Sequence, residues 1–273
     1  MSDQFDKWGS AKYKGQWIDI NTDKNLIWDV FTSEILSFLK ERKFLRIVDF
    51  GCGEGYVLNT ILGQLKNEGI QVEPIGVDNS KKSLELMKEK FPEISNIQAD
   101  LLNLPDDIKN IDVGMMRFTL QHFGKKEQLQ VLENIYKALG MNSLLIIMQN
   151  GSLENRIGEY DSDFLVEVNA IRSGSTIEEF KKIRYFPSAQ KLGEMAEGIG
   201  FKIGKKVNLT NEAVGYISPQ AYASRFNLDS ATIQKITDAF QRWKDKGVLL
   251  FEKDYLRVPR QIFYVVLIKS ANP

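Results

Sequence analysis

The segment Val48-Asp49-Phe50-Gly51-Cys52-Gly53-Glu54-Gly55 constrains this chain more than any other. It ends an apolar run that begins at Leu45, and it opens into a helical run over residues 56–65. A strand, a glycine turn and a helix in that order are the unit from which open α/β sheets are built. Gly51, Gly53 and Gly55 permit positive φ and remove side-chain bulk, so a ligand can lie against backbone amides at a helix N-terminus. The pattern departs from the dinucleotide fingerprint G-x-G-x-x-G, whose third glycine would fall at Tyr56. Asp49 and Glu54 add carboxylates, which repel a pyrophosphate and suit an ammonium or sulfonium.

The rest of the first half alternates in the same way. Strands are expected over residues 45–50, 73–77, 94–98, 111–116 and 143–148, with helices over 56–67, 80–91 and 126–139, the last closed by Gly140. Residues 143–148 form an uninterrupted apolar run, as strands buried on both faces do. The expectation is an α/β fold: a doubly wound, mostly parallel seven-stranded sheet with helices on both faces. Ligands in such sheets bind at the carboxyl ends of the strands, where the glycine turn, Asp78 and Asp100 all fall.

In these segments the chain resembles the class I S-adenosylmethionine-dependent methyltransferases, whose first motif is a hydrophobic strand, an acid and then G-x-G-x-G. Gly76-Val77-Asp78-Asn79-Ser80 is similar to the acidic end of their second strand, and Gln98-Ala99-Asp100-Leu101 to the end of their third. The likeness also takes in residues 111–123, the helix and strand through Gln149, and residues 186–207, about half of the chain. It implies S-adenosylmethionine as cofactor, with Asp78 and Asn79 at the ribose and Asp100 and Leu101 at the adenine. Asp49 would order the turn and meet the methionine end, Gly51, Cys52 and Gly53 would lie against the cofactor with Cys52 as a small packed residue, and Phe118 and Thr119 would supply backbone and edge contacts. Competing structural readings make Asp78 a helix cap ahead of Ser80 and Asp100 an ordinary loop acid. Tyr13 and Trp17 either staple an N-terminal arm to the fold or close over the cofactor with an aromatic face near its sulfonium.

His122, the single histidine, is the candidate general base near neutral pH, against a packing role. Catechol-type relatives hold magnesium with acids after the fourth and fifth strands, but Arg117 and Gln149-Asn150 stand there in this chain. A guanidinium and neutral amides do not replace hard anionic ligands, so no metal is expected. Arg117, Gln149 and Asn150 become candidates for orienting a polar acceptor.

A single domain over residues 1–273 is expected, with an N-terminal arm and helix over 1–44 and a cofactor-binding core over 45–150. Residues 185–209 and 261–269 end the core sheet, while 151–184 and 210–260 are lid-like insertions. The first insertion carries Tyr160 and a capping box from Thr176 to Glu179. The second carries an amphipathic helix over 230–246, with Ile233, Ile236, Phe240 and Trp243 on one face. Its aromatics Tyr216, Tyr222 and Phe226 are expected to wall an acceptor pocket, with a dimer interface as the alternative.

Lys plus Arg equals Asp plus Glu at 36 each, so no global basic field exists to attract nucleic acid, and the lysine pairs are scattered as solvated faces. No leader and no run of membrane-spanning length is present, which points to a cytoplasmic protein off the membrane. One cysteine excludes an intrachain disulfide. The expected function is methyl transfer from S-adenosylmethionine to an O, N or C atom of a small, partly apolar metabolite, by a monomer or homodimer. The alternatives are a nicotinamide-dependent oxidoreductase and a non-catalytic S-adenosylmethionine-binding or interaction subunit.

Overall fold

A computed structural model of the chain describes residues 24–39, 42–150, 158–209, 214–217, 219, 227–246, 250–252, 255–259 and 262–270. Its first half runs α1 (Lys24–Leu39), β1 (Phe44–Phe50), α2 (Tyr56–Asn67), β2 (Gln71–Asp78), α3 (Lys81–Lys90), β3 (Ser95–Gln98), β4 (Ile111–Arg117), α4 (Lys125–Ala138) and β5 (Leu139–Asn150). The second half runs α5 (Gly158–Ser173), α6 (Ile177–Ile183), α7 (Ala189–Ile199), β6 (Lys202–Asn208), β7 (Val214–Ile217), α8 (Ser230–Asp245), β8 (Leu250–Glu252), β9 (Tyr255–Pro259) and β10 (Ile262–Lys269).

Strand alternation sorts the core onto two faces of one sheet. In β5, Leu144, Ile146 and Met148 join the cluster that holds Leu58 and Ile61 of α2 and Leu84 and Met87 of α3. Leu145 and Ile147 join the cluster that holds Val131 and Ile135 of α4 and Leu192 and Ala196 of α7. The seven strands lie in the order β3-β2-β1-β4-β5-β10-β6. The first five are mutually parallel, whereas β10 enters antiparallel between β5 and β6, with Phe263 opposite both Gln149 and Asn208. Chain order reverses between β1 and β4, so the turn after β1 and the loop after β4 face each other at the switch point.

Most element limits fall within two residues of expectation, and the largest shift is at β5, which begins at Leu139. Gly140 does not close α4, because Leu139 already begins β5. The Lys269 ammonium, reaching over from β10, donates to the carbonyls of Tyr136 at 2.8 Å and Leu139 at 2.7 Å. With the last carbonyls taken in this way, no left-handed glycine is required.

The insertions meet each other. Phe164 and Val168 of α5 pack on Ile236, Ala239, Phe240 and Trp243 of α8, with Phe164 edge-on to Phe240 at 5.0 Å. Glu167 accepts hydrogen bonds from Trp243 Nε1 at 2.6 Å and Arg242 at 2.5 Å. Two stretches far apart in sequence thus form one helical layer, and the second insertion also holds a small antiparallel sheet in the order β7-β9-β8 that periodicity alone did not reveal. Tyr13, Trp17, Tyr222 and Phe226 lie outside the described residues, as do the side chains of Tyr160 and Tyr216.

Gln128 fastens the segment just after the first insertion to the core. From a fully buried position its Nε2 donates to the carbonyls of Leu120 at 2.8 Å, Phe123 at 3.0 Å and Tyr185 at 2.7 Å. At the start of the same helix, any side chain on Gly124 would overlap the Lys182 carbonyl oxygen. Gln128→Leu keeps the volume and strands these carbonyls, so it should lower unfolding free energy by about 2–3 kcal/mol. Urea denaturation measures this, and a loss of less than about 0.5 kcal/mol would mean the carbonyls find water instead.

Candidate functional site

The glycine turn is held by the end of β2. Gly51 and Cys52 both donate to the Val77 carbonyl, at 2.7 and 3.1 Å. Gly53 donates to Asp78 Oδ2 at 2.8 Å, and Ser80 donates to Asp78 Oδ1 at 2.8 Å. Gly55 then donates to the Cys52 carbonyl at 3.0 Å. The amides of Gly51, Cys52, Gly53 and Gly55 are thus spent within the fold, so the turn differs from the open amide nests that hold phosphates. What it offers is bare surface: Gly53, at φ +54°, would have no atom within 4 Å of an added Cβ. Gly51, at φ +79°, has the opposite constraint, since a Cβ there would collide with Thr119, whose hydroxyl donates to the Gly51 carbonyl at 3.4 Å and the Arg117 carbonyl at 3.2 Å.

Glu54 is likewise not presented to a ligand. Lys90 of α3 pairs with it and donates to the Tyr56 hydroxyl at 2.8 Å. Tyr56, standing where a dinucleotide site needs glycine, packs edge-on against Phe91 at 5.4 Å. The acid that stays uncompensated is Asp49, 2% exposed, whose Oδ2 is buried without a hydrogen-bond partner. Burial, and then the neighbouring Asp78 carboxylate, push its pKa from the ordinary 3.8 up to about 7, while Arg117 pulls the other way. Burial also raises the pKa of Asp78, against the opposing effect of the amides of Ser80, Gly53 and Asn79.

The cap reading of Asp78 does not hold, because Ser80 caps α3 by accepting from Ser83 at 3.2 Å, leaving Asp78 to brace the turn. Asp100 does have a structural role, since its Oδ1 accepts from Leu102 at 3.0 Å and caps the single turn Leu101–Asn103, with the Leu101 side chain in the core. The Asn79 carbonyl accepts from Gln98 at 3.2 Å. Cys52 is buried, and burial followed by Asp49 and Asp78 raises its pKa, so it stays a thiol and packs.

Across the switch point, Phe118 sits at φ +54°, a left-handed conformation unusual for a non-glycine residue, and donates to the Met148 carbonyl at 2.8 Å. The Arg117 guanidinium lies 4.8 Å from its ring centre. His122 ends the single turn Leu120–His122. Asn150 donates to the buried Gln121 Oε1 at 2.8 Å, tying the end of β5 to this loop. Gln149 points to the opposite face from Asn150, the face it shares with Ile147, and is fully buried with neither amide atom partnered. Arg117, His122 and Asn150 thus gather on or against one loop, and Gln149 stands apart from them. Lys90 and Gln128 were missed in the sequence; Gln128 had a signal, as a polar residue in register with Val131, Leu132 and Ile135. Among the described residues no group of three or more His, Cys, Asp or Glu converges to hold a metal, and no helix is long and apolar enough to cross a membrane.

Sheet order, turn and paired acids define a Rossmann-like cofactor-binding domain suited to a cationic group. Residues 47–142 match the family model described as a methyltransferase domain. A carboxy-S-adenosyl-L-methionine synthase of Vibrio vulnificus is 31% identical over 117 residues, which are 41% of this chain and 46% of that protein. The chain thus spans about half the length of the curated relatives it matches. A putative methyltransferase from Bacillus halodurans superposes with TM-score 0.65 at 14% identity, over 88% of this chain and 99% of that one. A Haemonchus contortus phosphoethanolamine N-methyltransferase, solved with S-adenosylhomocysteine, gives 0.59 at 14% identity, over 98% of this chain and 59% of that one. Residues 47–142 thus carry a methyltransferase domain, and the sheet is the one found in the solved methyltransferase. The match favours S-adenosylmethionine over the nicotinamide-dependent alternative.

Asp49 gives the site a pH signature. Its pKa is about 7 folded and 3.8 ordinarily, so between those values the folded state binds the extra proton. The stabilising contribution is complete below 3.8 and is lost as pH rises through about 7, and the raised pKa of Asp78 acts in the same direction. Cofactor-free protein should therefore lose stability between pH 5 and pH 8 through these groups, and Asp49→Asn should flatten the slope. Urea midpoints across that range test it, and an unchanged slope in Asp49→Asn would place the titration elsewhere.

Proposed function

We propose that this chain transfers the methyl group of S-adenosylmethionine to an oxygen, nitrogen or carbon atom of a small, partly apolar metabolite. The observation that carries this reading is the buried Asp49 carboxylate, its Oδ2 without a hydrogen-bond partner, in a turn whose Gly53 face is open. A carboxyl in that state gains from a cation brought beside it, and the cofactor's ammonium and sulfonium supply one. When bound, S-adenosylmethionine provides an already activated methyl group. Asp78 keeps one lone pair on each oxygen beyond those used by Gly53 and Ser80, enough for two ribose hydroxyls beside Asn79. Asp100 has Oδ2 free of its cap bond for an adenine amino group, with Leu101 as apolar wall. Phe118 and Thr119 line the opposite side of the turn.

On the acceptor side, Arg117 and Asn150 orient the acceptor and His122 takes its proton where one must leave. Alignment contributes most, since orientation alone lowers such barriers by about 7–11 kcal/mol. The helical layer of α5, α6 and α8 supports a lid that selects the acceptor and excludes water. Balanced charge favours a small-molecule partner over nucleic acid, and the reading places the enzyme in the cytoplasm as a monomer or homodimer.

Asp78→Asn should weaken S-adenosylhomocysteine binding about tenfold or more while the chain stays folded. Calorimetry decides, and unchanged affinity would reduce Asp78 to a brace for the turn. Turnover should survive chelators, and activity lost with EDTA and restored by magnesium would reject metal-free transfer. Mass spectrometry of the spent cofactor distinguishes S-adenosylhomocysteine from a carboxylated product such as the curated relatives are named for.

A further inference from the structure

Arg184 follows the last turn of α6, half-buried, with its guanidinium 6.0 Å from the ring centre of Phe180. Among the described residues no carboxylate pairs with it, and burial alone pulls its pKa down to about 10. The nearby acids are engaged elsewhere: Glu127 accepts from Gly124 at 2.9 Å, Glu179 accepts from Thr176 at 2.9 Å, and Glu178 lies 3.9 Å from Lys181. The contact of Lys182 with Gly124 also brings the pairs Lys125-Lys126 and Lys181-Lys182, scattered in sequence, to one junction. A guanidinium with five donors, withdrawn from water amid excess positive charge, is matched to an oxyanion.

Its place in the fold ties it to the acceptor side. The next residue, Tyr185, is joined through Gln128 to Leu120 and Phe123, in the loop that carries Arg117 and His122. The chain then enters α7 five residues after Arg184, on the face of the sheet that α4 also covers.

We infer that Arg184 is the anion-binding residue of the acceptor site, so that the methyl acceptor carries a carboxylate or a phosphate monoester. The inference rests on the methyltransferase reading above. Benzoate and phenyl phosphate, titrated calorimetrically into the full chain saturated with S-adenosylhomocysteine, are the probes. At least one should bind the wild type; benzoate alone marks an acid acceptor and phenyl phosphate alone a phosphoester. Arg184→Gln should weaken that probe about tenfold or more, and Arg184→Lys, which keeps the charge without the fork, about threefold. S-adenosylhomocysteine affinity should stay within about threefold in both variants. Binding of neither probe to the wild type, or equal binding by Arg184→Gln, overturns the inference and leaves the methyltransferase reading standing. Should circular dichroism find Arg184→Gln unfolded, Arg184→Lys decides, and equal binding overturns the inference. Failure of the wild type to bind S-adenosylhomocysteine sinks the methyltransferase reading instead, and titration of the cofactor-free chain then judges Arg184 as an anion site by the same criteria.

Discussion

Three successive amides of the glycine turn are taken by the last two residues of β2, and the site's geometry follows from that clamp. Because Val77 and Asp78 bind Gly51, Cys52 and Gly53, the turn is braced, those three amides are spent, and Gly53 leaves bare surface. Such a surface can receive a flat, weakly anionic or cationic ligand by close approach, but it lacks the amide cradle that holds phosphates in nucleotide sites. One carboxylate thus fixes the shape of the turn and leaves lone pairs for a ligand.

Rigidity brings electrostatic strain. Asp49 and Asp78 are both withdrawn from water and repel each other, with Arg117 as the opposing charge across the switch point. Phe118 adds a left-handed backbone at the end of β4, and Thr119 presses against Gly51 so closely that no side chain fits. These unfavourable features converge where β1 and β4 diverge, and the packed clusters on either side of the sheet hold them in place. The cofactor-free site is therefore under-neutralised, and it is stabilised most by a ligand that brings positive charge to Asp49.

The β-α alternation was legible because each core strand is a short apolar run bounded by a turn signal, and α2 came out with the expected limits. The carboxyl ends of the strands were legible because acids, Asp49, Asp78 and Asp100, fall there at the close of the strand runs. Long-range pairings left no local trace. Glu54 reads as a site acid until Lys90, on the next helix, is brought against it. Gly140 reads as a helix stop until Lys269, far along the chain, reaches the same carbonyls. The three-stranded sheet of β7, β8 and β9 was hidden by strands of three to five residues, too short for periodicity to register.

The position of β10 has a consequence for how the chain is made. During vectorial synthesis β5 emerges more than a hundred residues before the strand that pairs along its outer edge, and β6 emerges with no neighbour at all. For that interval the nascent sheet presents an unpaired edge lined by Leu144 to Met148, among the most apolar residues in the fold. Such an edge is a template for pairing with another chain. The vulnerable strand during translation is thus one that ends up in the middle of the sheet, and its protection depends on how quickly the last strand arrives, a long-range closure that is slow by nature.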